Sequence, residues 1–367
     1  MKKAALFLLG CCLSFYSFAA VQLDGLRIWP SPDKTRVVFD LSAASDYKLL
    51  TLQNPDRIVI DLRNTHANAS LEGLVYTKTG IEKIRYGNKD NHLRIVLQLS
   101  RKFKPNAFLL KPYGNYGHRL VLDLEIPEHS KKEPDNVEIT PSKPIASMNT
   151  LLSRDFVIAI DAGHGGEDPG AIGRTYKTRE KDVVLSVAKK LQQLINQQPG
   201  MRALLIRDGD YYVGLRKRTQ SARKQGADLF ISLHADSYQN TTAQGASVFV
   251  LSDHGASSEA ARWLAERENR TDLIGGVSLD DKGDLLASVL LDLSQTANQS
   301  ASEELGQLIL KALGKVTQLH HRTVQRAGFV VLKSPDVPSI LVELGFLSNN
   351  KGEDKLRKES HQKELAV

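Results

Sequence analysis

The chain has almost no cysteine. Its two, Cys11 and Cys12, stand side by side in the first apolar stretch, so the rest of the chain can form neither disulfides nor thiolate metal sites. Any metal site must be built from histidines and carboxylates. Long apolar runs are also lacking: beyond that first stretch no segment approaches the roughly 20 apolar residues that cross a bilayer. With 41% hydrophobic and 25% charged residues, the composition excludes a disordered chain and a polytopic membrane protein. An acidic excess is absent too. The formal net charge of +7 suits a polyanionic partner, whether nucleic acid, an anionic membrane or a carboxylate-rich cell wall. The 367 residues are enough for two domains of about 100 to 200 each.

The first segment narrows these partners. Met1-Lys2-Lys3 is a basic start, Ala4 to Phe18 an apolar core and Ser17-Phe18-Ala19 a small-x-small cleavage site, the anatomy of a signal peptide over residues 1–19. A lipoprotein reading through Leu8-Leu9-Gly10-Cys11 leaves only a stub of apolar sequence before the cut. Export carries both cysteines away with the signal and separates the mature chain from nucleic acid.

Residues 20–127 read as all-β. Thr35-Arg36-Val37-Val38-Phe39-Asp40-Leu41 and Asp56-Arg57-Ile58-Val59-Ile60-Asp61-Leu62 alternate at period two. Leu93 to Leu99 echoes the first phrase and His118 to Leu124 the second, an internal duplication. Two small sheets packed face to face are the simplest structure that buries both copies. Through the run Asn54 to Leu62 and the duplication, this region resembles the AMIN domain. The resemblance implies a module that attaches periplasmic enzymes to peptidoglycan. Residues 128–154, rich in Pro, Lys and Ser, read as a semi-extended linker.

From residue 155 to 367 strands and helices alternate. Phe156 to Ala162 reads as a strand, Glu180 to Asn196 as a helix, Met201 to Ile206 as a strand, Val213 to Gln225 as a basic helix and Asp228 to Leu233 as a strand ending in His234. The pattern predicts an α/β fold, an open and mostly parallel sheet flanked by helices, with ligands at the carboxyl ends of its strands.

Four residues stand out. His164 follows the first strand between glycines that clear space around it and allow backbone angles closed to other residues. Glu180 opens its helix, where the macrodipole alone would favour an acid. His234 ends a buried strand. Glu343 lies inside the apolar run Ser339 to Leu347, and a buried carboxylate costs several kcal/mol unless it has a partner or a reaction. Two histidines, one glutamate and a separate glutamate are the parts of a catalytic zinc site: three protein ligands, an open position and a general base.

The motifs Asp161-Ala162-Gly163-His164-Gly165-Gly166, Arg179-Glu180-Lys181-Asp182, Ser232-Leu233-His234-Ala235-Asp236 and Val342 to Asn349 are together similar to those of the zinc-dependent N-acetylmuramoyl-L-alanine amidases. The resemblance implies His164, Glu180 and His234 as Zn2+ ligands and Glu343 as the acid/base. It also implies a periplasmic enzyme that cuts the amide between the lactyl group of N-acetylmuramic acid and L-alanine in peptidoglycan. Asp161 and Asp236 are candidate acceptors for the far imidazole nitrogens, with loop capping as the alternative. Arg207, Arg216 and Arg218 either meet stem-peptide carboxylates or form a solvated face.

An insert at about 255–298 exceeds what one crossover needs. Ser257 to Arg270 and Asp284 to Thr296 read as helices, the second with an apolar stripe, and Ser300 with Glu303 reads as a capping box opening a third helix, Ala301 to Val316. Asn269 to Val277 resembles the insert of autoinhibited division amidases. This implies that Glu266 or Glu268 fills the fourth zinc position and that a LytM-type activator docks on the stripe. The family continues past the glutamate motif with a closing helix, within which Glu364 to Val367 is expected to fall. Two alternatives remain: another zinc peptidase of stem peptides, and a non-catalytic wall-binding protein.

Overall fold

The computed structural model describes residues 20–68, 76–89, 91–127, 154–238, 240–252, 255–276, 292–334 and 336–367. The expected signal segment, nearly all of the expected linker and the first part of the expected stripe (284–291) lie outside these. Among the described residues no helix is long and apolar enough to cross a membrane.

The N-terminal region is all-β. Its strands are β1 (Val21–Pro30), β2 (Lys34–Leu41), β3 (Tyr47–Leu52), β4 (Arg57–Arg63), β5 (Thr65–Ala67), β6 (Ile81–Lys89), β7 (His92–Leu99), β8 (Lys104–Leu110) and β9 (His118–Glu125). One sheet runs β5-β1-β2-β9-β8 and the other β3-β4-β7-β6. Alternate residues of both sheets, among them Val37, Phe39, Ile58, Ile60, Ile95, Leu97, Leu120 and Leu122, share a single core. The two repeats exchange strands: β2 pairs with β9 and β4 with β7, each antiparallel, so each pairing joins one strand from either copy.

The second region is an α/β sheet in the order β11-β10-β12-β15-β13-β14. Its elements are β10 (Phe156–Ala162), α1 (Glu180–Ile195), β11 (Met201–Leu205), α2 (Leu215–Lys224), β12 (Leu229–His234), β13 (Ser247–Leu251), α3 (Glu259–Glu268), α4 (Thr271–Ile274), α5 (Asp292–Val316), β14 (Gln325–Ala327), β15 (Ser339–Glu343), α6 (Asn350–Leu356) and α7 (Glu359–Ala366). All neighbouring strands are parallel except β13 with β15. Strand β10 shows why both faces need helices. Ile158, Ile160 and Ala162 pack with Val184, Val187 and Leu310 on one side, while Val157 and Ala159 pack with Leu215, Ala222 and Leu264 on the other. Helix α7 closes against α1, where Gln362 accepts from Ser186 Oγ (2.7 Å) and Ala366 is buried in the core.

One expected boundary is wrong. Ser300 does not cap a helix, because α5 runs unbroken from Asp292 to Val316. Neither Gly nor Pro stands between Thr296 and Ala301, and Ser302 Oγ bonds back to the Asn298 carbonyl (2.7 Å) as a serine within a helix does.

Candidate metal centre

The strand register builds the site. Strands β12 and β15 place His234 directly opposite Glu343, and β10 ends beside them with the loop that carries His164. That loop turns through the left-handed region at His164 (φ 61°), Gly165 (φ 123°) and Gly166 (φ 59°). Space decides two further glycines. A Cβ on Gly163 would sit 2.5 Å from the His234 ring, and one on Gly170 would sit 2.6 Å from His164 and 2.7 Å from Glu180.

Buried arginines hold the loop. Arg207 donates to the carbonyls of Ala162 and Gly163 (both 2.8 Å) and Lys181 (2.9 Å). Arg218 donates to Asp161 (2.8 Å) and to the carbonyls of Ala162 and His164 (both 2.9 Å). Neither forms the solvated face that the sequence left open for it; each is 1% exposed, because a turn that points its carbonyls inward supplies the acceptors a guanidinium needs. Burial and the nearby Arg218 push Arg207 down to about 10. Arg216 alone of the three is exposed.

The two imidazoles converge at 76° with ring centroids 5.0 Å apart. Glu180 Oε1 lies 3.2 Å from His164 Nε2 and 3.2 Å from His234 Nδ1. Glu268 Oε2, at the end of α3, lies 3.5 and 3.3 Å from the same two nitrogens. Atoms of His164, His234 and Glu268 fall within 4.8 Å of one another, a group that could hold a metal ion. Glu266, the other candidate in the insert, faces away and is exposed and paired with Arg262 (2.6 Å). One helical turn cannot aim both glutamates at the same point.

The fit to a cation rests on unsatisfied atoms. Among the described residues, His164 Nε2, His234 Nδ1 and one oxygen each of Glu268 and Glu343 are buried with no hydrogen-bond partner. Such groups are costly unless something binds them. The other nitrogen of His164, Nδ1, bonds Asp168 Oδ2 at 2.7 Å, so that in the neutral ring Nδ1 carries the proton and Nε2 turns a lone pair toward the centre. Burial disfavours the His164 cation, yet Glu180, Asp168 and Glu268 together raise its pKa well above the ordinary value. Burial would likewise raise Glu180, but the imidazoles hold it well below the usual carboxylate range. The site is therefore set for a positive charge.

Asp161 and Asp236 do not accept from the imidazoles. Asp161 is taken by Arg218 and by Ser232 Oγ (2.8 Å). Asp236 is taken by Arg267 of α3 (2.5 Å) and the Ser237 N–H. The partner that sequence reasoning missed is Asp168. Its signal was an acid four residues beyond His164, and the left-handed turn folds it back onto the ring.

Glu343 is fully buried. Its Oε2 accepts the Asp236 N–H at 3.0 Å and its Oε1 has no hydrogen-bond partner among the described residues. Burial first, and then the charges of Asp236, Glu180 and Glu268, push it well above the usual carboxylate range, so it holds a proton readily. Over this cleft lies α3. Trp263 meets Tyr238 edge-on at 6.1 Å, and Arg267 donates to the Ser237 carbonyl and hydroxyl (both 2.8 Å).

Residues 158–367 match the family model for N-acetylmuramoyl-L-alanine amidase, and residues 25–124 match the AMIN domain. The chain is 38% identical over 376 residues to the N-acetylmuramoyl-L-alanine amidase AmiC of Escherichia coli O6:H1, which spans 96% of this chain and 89% of the relative. To AmiA of Escherichia coli K12 it is 47% identical over 211 residues, 58% of this chain and 72% of the relative. A crystal structure of an N-acetylmuramoyl-L-alanine amidase from Clostridium difficile 630 is 26% identical, covering 58% of this chain and 92% of that one, with a TM-score of 0.43.

Proposed function

Because the chain belongs to the N-acetylmuramoyl-L-alanine amidase family, with an AMIN domain ahead of its catalytic region, we propose that it is a zinc-dependent, autoinhibited peptidoglycan amidase. It acts in the periplasm, in septal splitting. In this reading residues 1–19 direct export, 20–127 attach the protein to peptidoglycan, 128–154 link, and 155–367 catalyse.

His164, Glu180 and His234 would hold the zinc. The observation that carries this is the pair of orphaned ring nitrogens, His164 Nε2 and His234 Nδ1, each 3.2 Å from one Glu180 oxygen. When bound, zinc supplies a Lewis acid that polarises the lactyl carbonyl and makes a water acidic near neutral pH. The remaining work falls to the chain. Glu343, with one oxygen fixed by the Asp236 N–H and the other free, takes the proton of the attacking water and returns it to the L-alanine amine as the C–N bond breaks. Its raised proton affinity suits both halves of that transfer. Asp168 fixes the His164 tautomer, and Arg207 and Arg218 keep the loop in its left-handed turn.

Helix α3 acts as a plug. Glu268, 3.5 and 3.3 Å from the two ring nitrogens, would fill the place that substrate and water need at the metal, while Arg267 and Trp263 fasten the helix over the cleft. A LytM-type activator, docked on the stripe within 284–296, draws the plug out. This part is supported by the reach of Glu268 to both histidines and by the resemblance of residues 269–277 to autoinhibited relatives. The test of the catalytic assignment is Glu343→Gln in the full chain. It should retain the metal at parental stoichiometry and release no fragments from purified peptidoglycan, even when the plug is opened by Glu268→Gln. Undiminished release would remove Glu343 from the reaction.

A further inference from the structure

Strands β2 and β9 turn Thr35, Val37, Phe39, Leu120, Leu122 and Leu124 inward, so Arg36, Val38, Arg119, Val121 and Asp123 fall on the outer face of their sheet. Water ordinarily covers the outer face of such a sheet. Here it does not: Val38 is 1% exposed, Val121 0% and Arg119 1%. The catalytic region contacts this face, and several of the contacts fall on one short peptide. Arg119 Nη1 donates to the Ile274 carbonyl (2.9 Å). Arg36 donates to the carbonyl of Gly275 and reaches that of Gly276 (3.4 Å). A Cβ on Gly276 would come within 2.8 Å of Leu110 on β8.

The same arginine also grips the metal loop. Arg36 Nη1 lies 2.6 Å from Glu167, three residues past His164, and the Tyr116 hydroxyl donates to the Glu167 carbonyl (3.2 Å). Asp123 aims Arg36 with two bonds of 2.6 and 2.7 Å. The peptide held in this way, 274–276, ends α4, whose Thr271 hydroxyl bonds the Glu268 carbonyl at 2.8 Å. Few residues separate the clamp from the glutamate at the histidines.

We propose that the AMIN domain has a second function as an intramolecular inhibitor: its Arg36–Arg119 face clamps residues 274–276 and so keeps α3 seated over the metal centre. This rests on the reading of α3 as a plug. For Glu268 to leave, α4 must move, and α4 cannot move far while two buried guanidinium groups hold the carbonyls at its end and just past it. Buried donors and acceptors parted without replacements are expensive, so plug release and undocking of the AMIN domain are coupled and reciprocal.

The experiment compares the full metal-loaded chain with Arg36→Ala/Arg119→Ala, with the milder Arg36→Lys/Arg119→Lys and with Glu268→Gln. Hydrogen exchange is read by mass spectrometry over 259–276, together with basal fragment release from labelled peptidoglycan. The Ala pair should speed exchange over 259–276 by about tenfold or more and raise release in proportion, with the Lys pair intermediate. Strands β4 and β7 and helix α1 should keep their protection, which separates loss of the clamp from unfolding. If Glu268→Gln activates while both arginine pairs leave exchange and release at parental values, the clamp is wrong and the plug reading stands. If Glu268→Gln is also silent, the plug reading fails and the clamp's inhibitory role falls with it.

Discussion

Replacing Glu268 by Gln removes one charge from the centre while leaving the side chain's shape and the rest of the proposed plug in place. The closed state then loses the interaction of a carboxylate 3.3 and 3.5 Å from the two ring nitrogens. Coupling between close buried charges is about 1.5 kcal/mol or more, at least roughly a 10-fold change in the ratio of open to closed forms. Arg267 on Asp236 and Ser237, and Trp263 on Tyr238, remain and cap the gain. While the open form is a minority, its population sets the rate, so basal activity should rise by the same factor. The assay is the initial rate of dye release from labelled peptidoglycan, with zinc content and melting temperature measured on the same samples. Glu266→Gln is the matched control, since Glu266 is exposed and pairs with Arg262; its rate should equal the parent's. A folded, zinc-loaded Glu268→Gln chain no faster than the parent would refute the reasoning.

Two other sites give independent outcomes. Asp168→Asn keeps an oxygen for the Gly170 N–H but removes the charge that fixes the His164 ring. Zinc affinity, measured by chelator competition, should fall about 10- to 100-fold with the fold unchanged; affinity within twofold of the parent would show that Asp168 does not tune the ligand. Glu353 on α6 accepts from the N–H groups of Thr175 (2.9 Å), Tyr176 (2.9 Å) and Thr178 (3.2 Å). Burial raises its pKa, but these donors outweigh burial and hold it below the usual carboxylate value. Its contribution is therefore fully present above the unfolded-state pKa and is lost as pH falls through the folded-state one. Glu353→Gln should destabilise by about 2 kcal/mol at neutral pH, on the order of 4–8 °C in Tm, and by less in acid. An equal loss at both pH values would show that packing, not charge, fixes this loop.

Much of the centre was legible because its signals are local. An apolar run that breaks into Asp-Ala-Gly-His-Gly-Gly marks a strand end, and one acid inside Ser339 to Leu347 stands out against its neighbours. Residues that act through the turned backbone were not legible. Asp168 looked like any loop acid until the positive φ at His164 folded it under the ring, and Asp161, nearer in sequence, was already held by Arg218. Arg207 and Arg218 are satisfied mainly by carbonyls, which leave no pattern in side chains. The repeats were visible, but not the exchange of strands between them, because β2–β9 pairing is nonlocal. Val38 and Val121 read as ordinary strand residues, and their burial on the outer face of the sheet, beside the arginines that reach the catalytic region, leaves no pattern in the sequence.

The most direct test of the central claim is the chemical identity of the product. Peptidoglycan digested by the full chain carrying Glu268→Gln would be analysed by mass spectrometry and by labelling of new amino groups. The account predicts stem peptides with a free L-alanine amine, together with glycan whose N-acetylmuramic acid keeps an intact lactyl carboxylate. Both should disappear when zinc is removed and return when it is restored. New amino groups on any other stem residue, with the lactyl amide intact, would contradict it.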